Sequence, residues 1–310
     1  MRVCVLIPTY NGIKHLPKLL ESLRYQDVGF DLRVVDSSSV DGSFELLVSG
    51  GVDVGSICAA EFNHGGTRQI MVDRCFGYDV CVFLTQDAYL ADCHSLSKIL
   101  EPFSDPGVGA VCGRQLAHFG ASPFAEHARL FNYPDHSEVR SISDVPRLGI
   151  KTAFISNSFA AYRRSALLDV GGFPTHVVFA EDMYAAAKML MAGWKIAYAG
   201  DAQCRHSHNY SIVEEFERYF DVGVFHARET WIRKRFGGAG GEGARFIISE
   251  IRFLGFTRIY LWPSAFFRNL VKLLAYQLGK RESIIPIWLK KRFGMYKRYW
   301  EGPFKVSKNH

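Results

Sequence analysis

FLTQDAYLAD, residues 83–92, begins as a buried strand and ends as something else. Phe83 and Leu84 are apolar, Thr85 and Gln86 are polar, and Asp87 is the first carboxylate of the run. Joined to the residues before it, DVCVFLT (79–85) reads as a strand covered on both faces, because a short unbroken apolar run leaves no face for water. A carboxylate just past such a strand is either a turn residue or a ligand for a cation. The decapeptide alone does not separate the two.

Upstream, RVCVLIP (2–8) is a strand, and His15–Tyr25 has helical spacing at Leu16, Leu19, Leu20 and Leu23. DLRVVD (31–36) is a second strand, followed by a helix opening near Asp41; VGSICA then leads to a helix expected between Thr67 and Gly77. Strands alternating with helices of this length argue for an α/β fold with a mainly parallel sheet flanked by helices. In such sheets ligands bind beyond the carboxyl ends of the strands. Thr9–Asn11, Asp36–Asp41 and Gln86–Asp87 all fall there.

Downstream, residues 114–150 carry His118, His127 and His136 among scattered Pro and Gly, and are expected to be loop with some helix, able to shape an acceptor site. FISNSFAAYRRSALLDVGGF (154–173) predicts a strand, then a helix from about Arg164 with a Gly-Gly stop. Arg163 and Arg164, after that strand, are placed to reach phosphate. EDMYAAAKMLMAGW (181–194) predicts a helix ending at Gly193, KIAYAG (195–200) a strand, and the stretch from Ser211 a further helix. GGAGGEG (237–243) reads as a linker. The expected division is a sheet domain over 1–210 and a C-terminal helical region over 211–310.

Charge is unevenly spread. The chain has 37 Lys and Arg against 31 Asp and Glu, and residues 245–310 hold 14 of the former and 3 of the latter, so the tail carries +11 and the remainder −5. A basic, aromatic tail suits interfacial helices on anionic lipid; a helical subdomain or a homodimer interface is the other reading. Nucleic acid is disfavoured, since no binding motif accompanies the charge. Seven cysteines, odd in number and without a C-x-x-C pair, indicate free thiols in a reducing compartment. MRVCVLIPTYNG does not read as a signal peptide, and no stretch reaches the ~18 apolar residues of a spanning helix.

The order of motifs resembles the family-2 glycosyltransferases: PTYNG after the first strand, DSSSVDGS after the second, NHGGTRQ opening a helix, TQDA after the next strand, and ED opening a late helix. The resemblance runs in order from residue 1 to about 210. NHGGTRQ, TQDA and HSHNYS together look most like bacterial rhamnosyltransferases, and LLAYQLGK and MYKRYW resemble the C-terminal region of those enzymes. It implies a GT-A fold, a Rossmann-like sheet that binds a sugar nucleotide, here dTDP-L-rhamnose. It also implies a cytoplasmic enzyme peripheral to the inner face of the bacterial membrane, building surface polysaccharide on a glycan or lipid-linked glycan.

The implied chemistry is displacement at an anomeric carbon, which requires charge neutralisation on a leaving diphosphate and a base for the acceptor hydroxyl. The resemblance gives the first task to a divalent metal, Mn²⁺ or Mg²⁺, on Asp87. The family's usual Asp-x-Asp is here Thr85-Gln86-Asp87, which weakens the expected metal site and leaves Gln86 a neutral oxygen or a sugar contact. His206 is the expected second ligand, with His208 its competitor; an imidazole suits Mn²⁺ better than Mg²⁺. Asp182 is the implied base and Glu181 its neighbour, in a helix first turn whose dipole would lower their basicity. Nucleotide-sugar contacts are expected from Pro8, Thr9, Tyr10, Asn11, Asp36, Ser38, Asp41, His64, Gly65, Arg68 and Trp194. Tyr10 would pack on the base, Asp36 would accept from base or ribose, and Asp41 is equally a helix cap. Arg68 would pair with the diphosphate or hold the metal-loop Asp. A UDP-hexose transferase of the same fold, or a sugar-nucleotide or glycan-binding protein without turnover, remains open on these residues.

Overall fold

The computed structural model describes residues 1–238 and 240–302. Ala239 of the expected linker and residues 303–310, with Lys305 and Lys308 of the basic tail, lie outside the described residues. The chain runs β1 (Val3–Thr9), α1 (Leu16–Arg24), β2 (Asp31–Asp36), α2 (Ser43–Ser49), β3 (Asp53–Ser56), α3 (His64–Asp73), β4 (Val80–Leu84), β5 (Tyr89–Leu90), α4 (Ser95–Leu100) and β6 (Val108–Leu116). It continues with α5 (Pro123–Asn132), β7 (Glu138–Arg140), α6 (Val145–Leu148), β8 (Phe159–Arg163), α7 (Arg164–Asp169), α8 (Glu181–Met191) and β9 (Lys195–Arg205). Helices α9 (Ile212–Arg228), α10 (Thr230–Phe236), α11 (Gly240–Leu254), α12 (Trp262–Lys280) and α13 (Ile287–Phe293) follow.

The strand order is β3-β2-β1-β4-β8-β6-β9-β5, with β7 also on β9. β1 pairs parallel with β2 and β4, and β6 parallel with β9, whereas β8 runs antiparallel to both β4 and β6. The carboxyl ends of β1, β2, β4, β6 and β9 therefore share one edge. The carboxyl end of β8 lies at the other, which removes Arg163 and Arg164 from any phosphate site on the shared edge. Arg163 instead donates to the carbonyls of Phe103, Asp105 and Val108, and Arg164 to that of Val72.

Alternation along the strands makes two cores. Val3, Val5 and Ile7 join Leu16, Leu19 and Ile99 on one face, while Cys4 and Leu6 join Met71, Tyr162, Ala186 and Phe220 on the other. The second core continues into the C-terminal helices through Val224, Phe236, Tyr299 and Trp300. Helices α9 and α12 cross at glycines: a Cβ on Gly223 would stand 2.4 Å from the Tyr276 carbonyl oxygen, and one on Gly279 2.1 Å from that of Phe220. The region read as linker becomes the start of α11 at Gly240. The tail also divides. Tyr299 and Trp300, apolar enough to suggest a surface anchor, are buried, while Phe266, Phe267, Leu273 and Leu274 of α12 are exposed.

Two expectations moved. Residues 114–150 begin with the end of β6 and contain α5, β7 and α6, so the stretch is more regular than its Pro and Gly suggested. Helix α3 opens at His64, ahead of the expected Thr67, because Asn63 caps it by accepting from Gly66 N at 2.7 Å.

Candidate active site

Three loops meet at the shared edge, and side-chain hydrogen bonds tie them. Gln86 Oε1 accepts from Thr9 Oγ1 at 2.7 Å and from Tyr10 N at 2.8 Å, while its amide donates to the Tyr10 carbonyl. Gln86 is thus a clamp between the ends of β1 and β4. Asp36 is buried, and Ser39 donates to both its oxygens, so it shapes its own loop. Asp41 accepts from Ser43 N and from Ile13 N, joining the α2 entry to the first loop. Asn11 accepts from Val40 N, and Ser38 Oγ donates to the Ile57 carbonyl. Pro8 lies inside β1, in register with Val35.

Among the described residues, the non-glycine residues with positive φ are Asn11, Ser38 and Ala180, at 48°, 60° and 60°. All three flank these loops or the start of α8, so backbone strain gathers where the ligand-binding edge is built. Tyr10 is 43% exposed, its ring open to a ligand and to the Arg298 guanidinium 5.7 Å away.

Asp87 stands at the centre of the edge. Its Oδ2 lies 3.3 Å from His206 Nε2 and 3.7 Å from His208 Nε2. Burial alone would raise the Asp87 carboxyl, but the His206 hydrogen bond and the two imidazoles outweigh it and hold it well below the usual carboxylate range. His206 Nδ1 is 2.9 Å from Gln115 Oε1, and Arg129, which can only donate, bonds the same oxygen. That oxygen must therefore accept from both, so Nδ1 carries a hydrogen in either state of the ring: the protonated ring donates from Nε2 to Asp87, and the neutral ring offers the Nε2 lone pair to the cluster in its place. Ligand atoms of Asp87, His206 and His208 all lie within 4.8 Å of one another. With the rings neutral, one carboxylate oxygen and two imidazole nitrogens turned together repel, and a proton on a ring or a metal ion among them relieves that repulsion. The donor set fits a divalent metal.

Glu181 and Asp182 open α8, one turn of strained backbone after Phe179. Glu181 is buried, pairs with Arg68 at 3.2 Å and accepts from Asn157 Nδ2 at 2.9 Å. Burial opposes its charge, but Arg68 and then His64 prevail and keep it ionised. Asp182 is partly exposed and accepts from Asn157 N at 3.1 Å and from Met183 N at 2.8 Å. Burial first, and the Glu181 charge second, push its carboxyl up to about 7. The helix dipole expected to lower its basicity is overridden by burial and, after it, by a like charge one residue away.

The Arg68 guanidinium pairs with Glu181 and donates to the His64 carbonyl through the same Nη1, and does not hold Asp87. Gly65 is required by packing: a Cβ there would lie 1.7 Å from the Pro174 carbonyl oxygen. His64 packs between Phe62 and Tyr296, ring centroids 5.1 and 5.0 Å away. Trp194 is a correction. It follows the far end of α8, which lies about 14 Å along the helix from Asp182, and bonds Asp169 at the opposite sheet edge.

Residues 4–171 match the family described as Glycosyl transferase family 2. The chain is 48% identical over 97% of its length to the O-antigen chain rhamnosyltransferase RfbN of Salmonella typhimurium, covering 96% of it. It is 46% identical over 96% of its length to the O-antigen chain rhamnosyltransferase WbaN of Salmonella anatum, covering 95% of that chain. The chain belongs to glycosyl transferase family 2. A solved mannosyltransferase from Pyrobaculum calidifontis, in complex with GDP-Man and Mn²⁺, superposes with a TM-score of 0.57 at 19% identity, over 97% of this chain and 85% of that one. The family-2 glycosyltransferase thus has the GT-A fold. Three of its site residues carry no motif in the sequence: Gln115 and Arg129, behind His206, and Asn157, which bridges Glu181 and Asp182. The histidine-rich character of 114–150 pointed near Gln115, but nothing in the chain pairs it with residue 206.

Proposed function

We propose that the protein is an inverting rhamnosyltransferase of O-antigen synthesis, moving L-rhamnose from dTDP-β-L-rhamnose to a saccharide acceptor carried on lipid. The observation that carries the reading is geometric. A partly exposed Asp182, bonded to Asn157 just before β8 and with a carboxyl at about 7, stands at the same sheet edge as the Asp87 cluster, so a base and a charge-neutralising centre share that edge. The relatives' names supply the sugar.

Asp182 accepts the proton of the acceptor hydroxyl while the oxygen attacks the anomeric carbon and the C–O bond to dTDP breaks. A single displacement inverts the centre and gives an α-rhamnoside. Glu181 does not touch the acceptor; it is a positioning residue whose buried charge sustains the basicity of Asp182. Asp87, His206 and His208 would hold a divalent metal, Mn²⁺ before Mg²⁺ given two imidazoles, and when bound it neutralises the departing diphosphate as a Lewis acid. Tyr10 offers its open face to the thymine, and the strained Asn11 and Ser38 loops frame it.

Residues 1–210 are the catalytic unit in this reading, and 211–302 a helical layer that meets the membrane. Phe266, Phe267, Leu273 and Leu274 are exposed on α12, and Arg252, Arg258, Lys280 and Arg281 have no ion pair among the described residues. No helix among them is long and apolar enough to cross a bilayer, so the contact is peripheral.

The test is incubation with dTDP-rhamnose or UDP-hexoses and a lipid-linked acceptor, with and without EDTA, in anionic or neutral vesicles. dTDP release and product on anionic vesicles, abolished by EDTA and restored by Mn²⁺, is expected. Turnover with UDP-hexose alone would move the enzyme to another donor. Nucleotide binding without turnover on any acceptor would make it a binding protein. Self-association in place of vesicle binding would assign the α12 face to a second copy.

A further inference from the structure

Beside the metal-competent cluster lies a cleft of about 390 Å³ that the reaction described above does not use. It is built at the carboxyl ends of β6 and β9 and closed by α5, with Arg114, Arg129 and Arg205 in its walls and His118 and Phe119 at its side. Arg114 makes no side-chain hydrogen bond or ion pair among the described residues, and its Nε is buried without a partner. The Arg129 Nε is likewise buried and unpartnered, its Nη1 being spent on Gln115. Arg205 donates to the Ala117 carbonyl at 2.7 Å and lies 3.9 Å from the centre of the Phe119 ring. None of the three meets a carboxylate among the described residues, and Glu126 is the one acidic side chain of the lining. Outside residues 245–310 the chain is net acidic. Three guanidiniums gathered in an acidic body repel one another unless an anion joins them.

Their planar donor forks match phosphate oxygens, and desolvated Nε–H groups without partners mark where such oxygens are missing. Position separates this ligand from the donor nucleotide. In the strand order, β1 and β2, with Tyr10 and its loops, lie on one side of β4; β6 and β9 lie on the other. Asp87 stands between, and the cleft begins past His206 at His118, whose ring centroid is 6.5 Å from that of His206. A nucleotide with its base at Tyr10 and its diphosphate at Asp87 stops short of it. Phe119 is 76% exposed at the mouth, with the face away from Arg205 open to a sugar ring, while Tyr89 is held between His118, stacked at 5.2 Å, and Lys18 Nζ, 4.0 Å from its ring centre.

We propose that this cleft binds the phosphate-bearing end of the acceptor, a glycan joined to its carrier through a diphosphate, separately from the donor. The proposal rests on the glycosyl-transfer reading for the identity of the ligand as acceptor, and on the three arginines for its phosphate.

The test is titration calorimetry of the full chain in EDTA, using a short-chain alkyl diphosphate as the probe and the matching alkyl glucoside as the uncharged control. The wild type is expected to bind the diphosphate at least about ten-fold more tightly than the glucoside, and Arg114→Gln and Arg205→Gln to lose about ten-fold each. The affinity should persist when the enzyme is saturated with Mn²⁺ and dTDP. Displacement of the probe by Mn²⁺–dTDP would assign the arginines to the donor and overturn the proposal. So would absent binding, or equal affinity in wild type and both variants. Arg205→Gln loses a backbone contact and risks misfolding; Arg114→Gln breaks no bond and keeps the test decisive. Failure of dTDP-rhamnose to give product would sink the proposed reaction, but the titration uses no donor sugar and is read independently.

Discussion

Asp87 and Asp182 are both carboxylates at the ligand edge of one sheet, and their surroundings drive them in opposite directions. Asp87 faces two imidazoles, which hold it ionised against burial. Asp182 faces the Glu181 carboxylate, which adds to burial and carries it up to about 7. Arg68 could have cancelled that effect, but it sits on Glu181 and keeps the offending charge in place. The pair teaches that the neighbours of an acid, more than its own identity or helix position, decide whether it holds charge or takes a proton.

The sharpest way to break the comparison is Asp182→Asn. Turnover should fall by about 10²–10⁴, as for removal of a general base, with nucleotide affinity little changed in the same assays. Wild-type turnover should rise with pH through about 7 and level above it. Stability has the opposite slope. A carboxyl raised from 3.8 to about 7 keeps, in the folded state, a proton that the unfolded chain has released, so this group's contribution falls as pH rises across that window. Thermal unfolding at several pH values should show that slope in the wild type and its loss in Asp182→Asn. A flat rate profile together with undiminished turnover would remove Asp182 from the chemistry.

Gly65→Ala strikes the support of the acid pair and leaves the Asp87 cluster alone. With a Cβ 1.7 Å from the Pro174 oxygen, the start of α3 must move, and Arg68 with it. A loss of about 1–3 kcal/mol in stability is expected from denaturant unfolding, with Mn²⁺ affinity retained. Equal loss of metal binding would mean that the two acid sites are not independent.

The smallest effect tests the other side. Gln115→Leu removes the acceptor that sets the His206 tautomer, and Mn²⁺ affinity, read by paramagnetic resonance of free ion, should drop at least about ten-fold. Gln115→Glu keeps an acceptor oxygen and should recover most of it. Identical weakening by both would make Gln115 a packing residue only.

Much of the fold was legible in the chain because its signals are local. DLRVVD is a strand over the full span read from its alternation, and ED opens a helix whose stop at Gly193 is visible as a glycine with φ of 93°. The resemblance implied that Asp87 and His206 meet and made His208 a competitor of His206; the structure puts both histidines beside Asp87. What stayed hidden depends on pairing across the sheet. The antiparallel sense of β8 sends Arg163 and Arg164 to the wrong edge, and no residue near them announces it. Trp194 misled because a helix that opens at the site must end away from it. That Ser39 folds back onto both oxygens of Asp36 is likewise invisible in the sequence.

One contact reaches across nearly the whole chain. Tyr296 bonds the Phe62 carbonyl and packs on His64, and Arg298 reaches the Ala59 carbonyl. The loop that leads into the Arg68 helix is therefore braced by residues made more than two hundred positions later. On the ribosome, the sheet can assemble while this brace is still unsynthesised, so the nascent chain must wait with that loop unsupported. A chain that stops short of Tyr296 would lack this brace and leave the loop before the Arg68 helix to its own contacts.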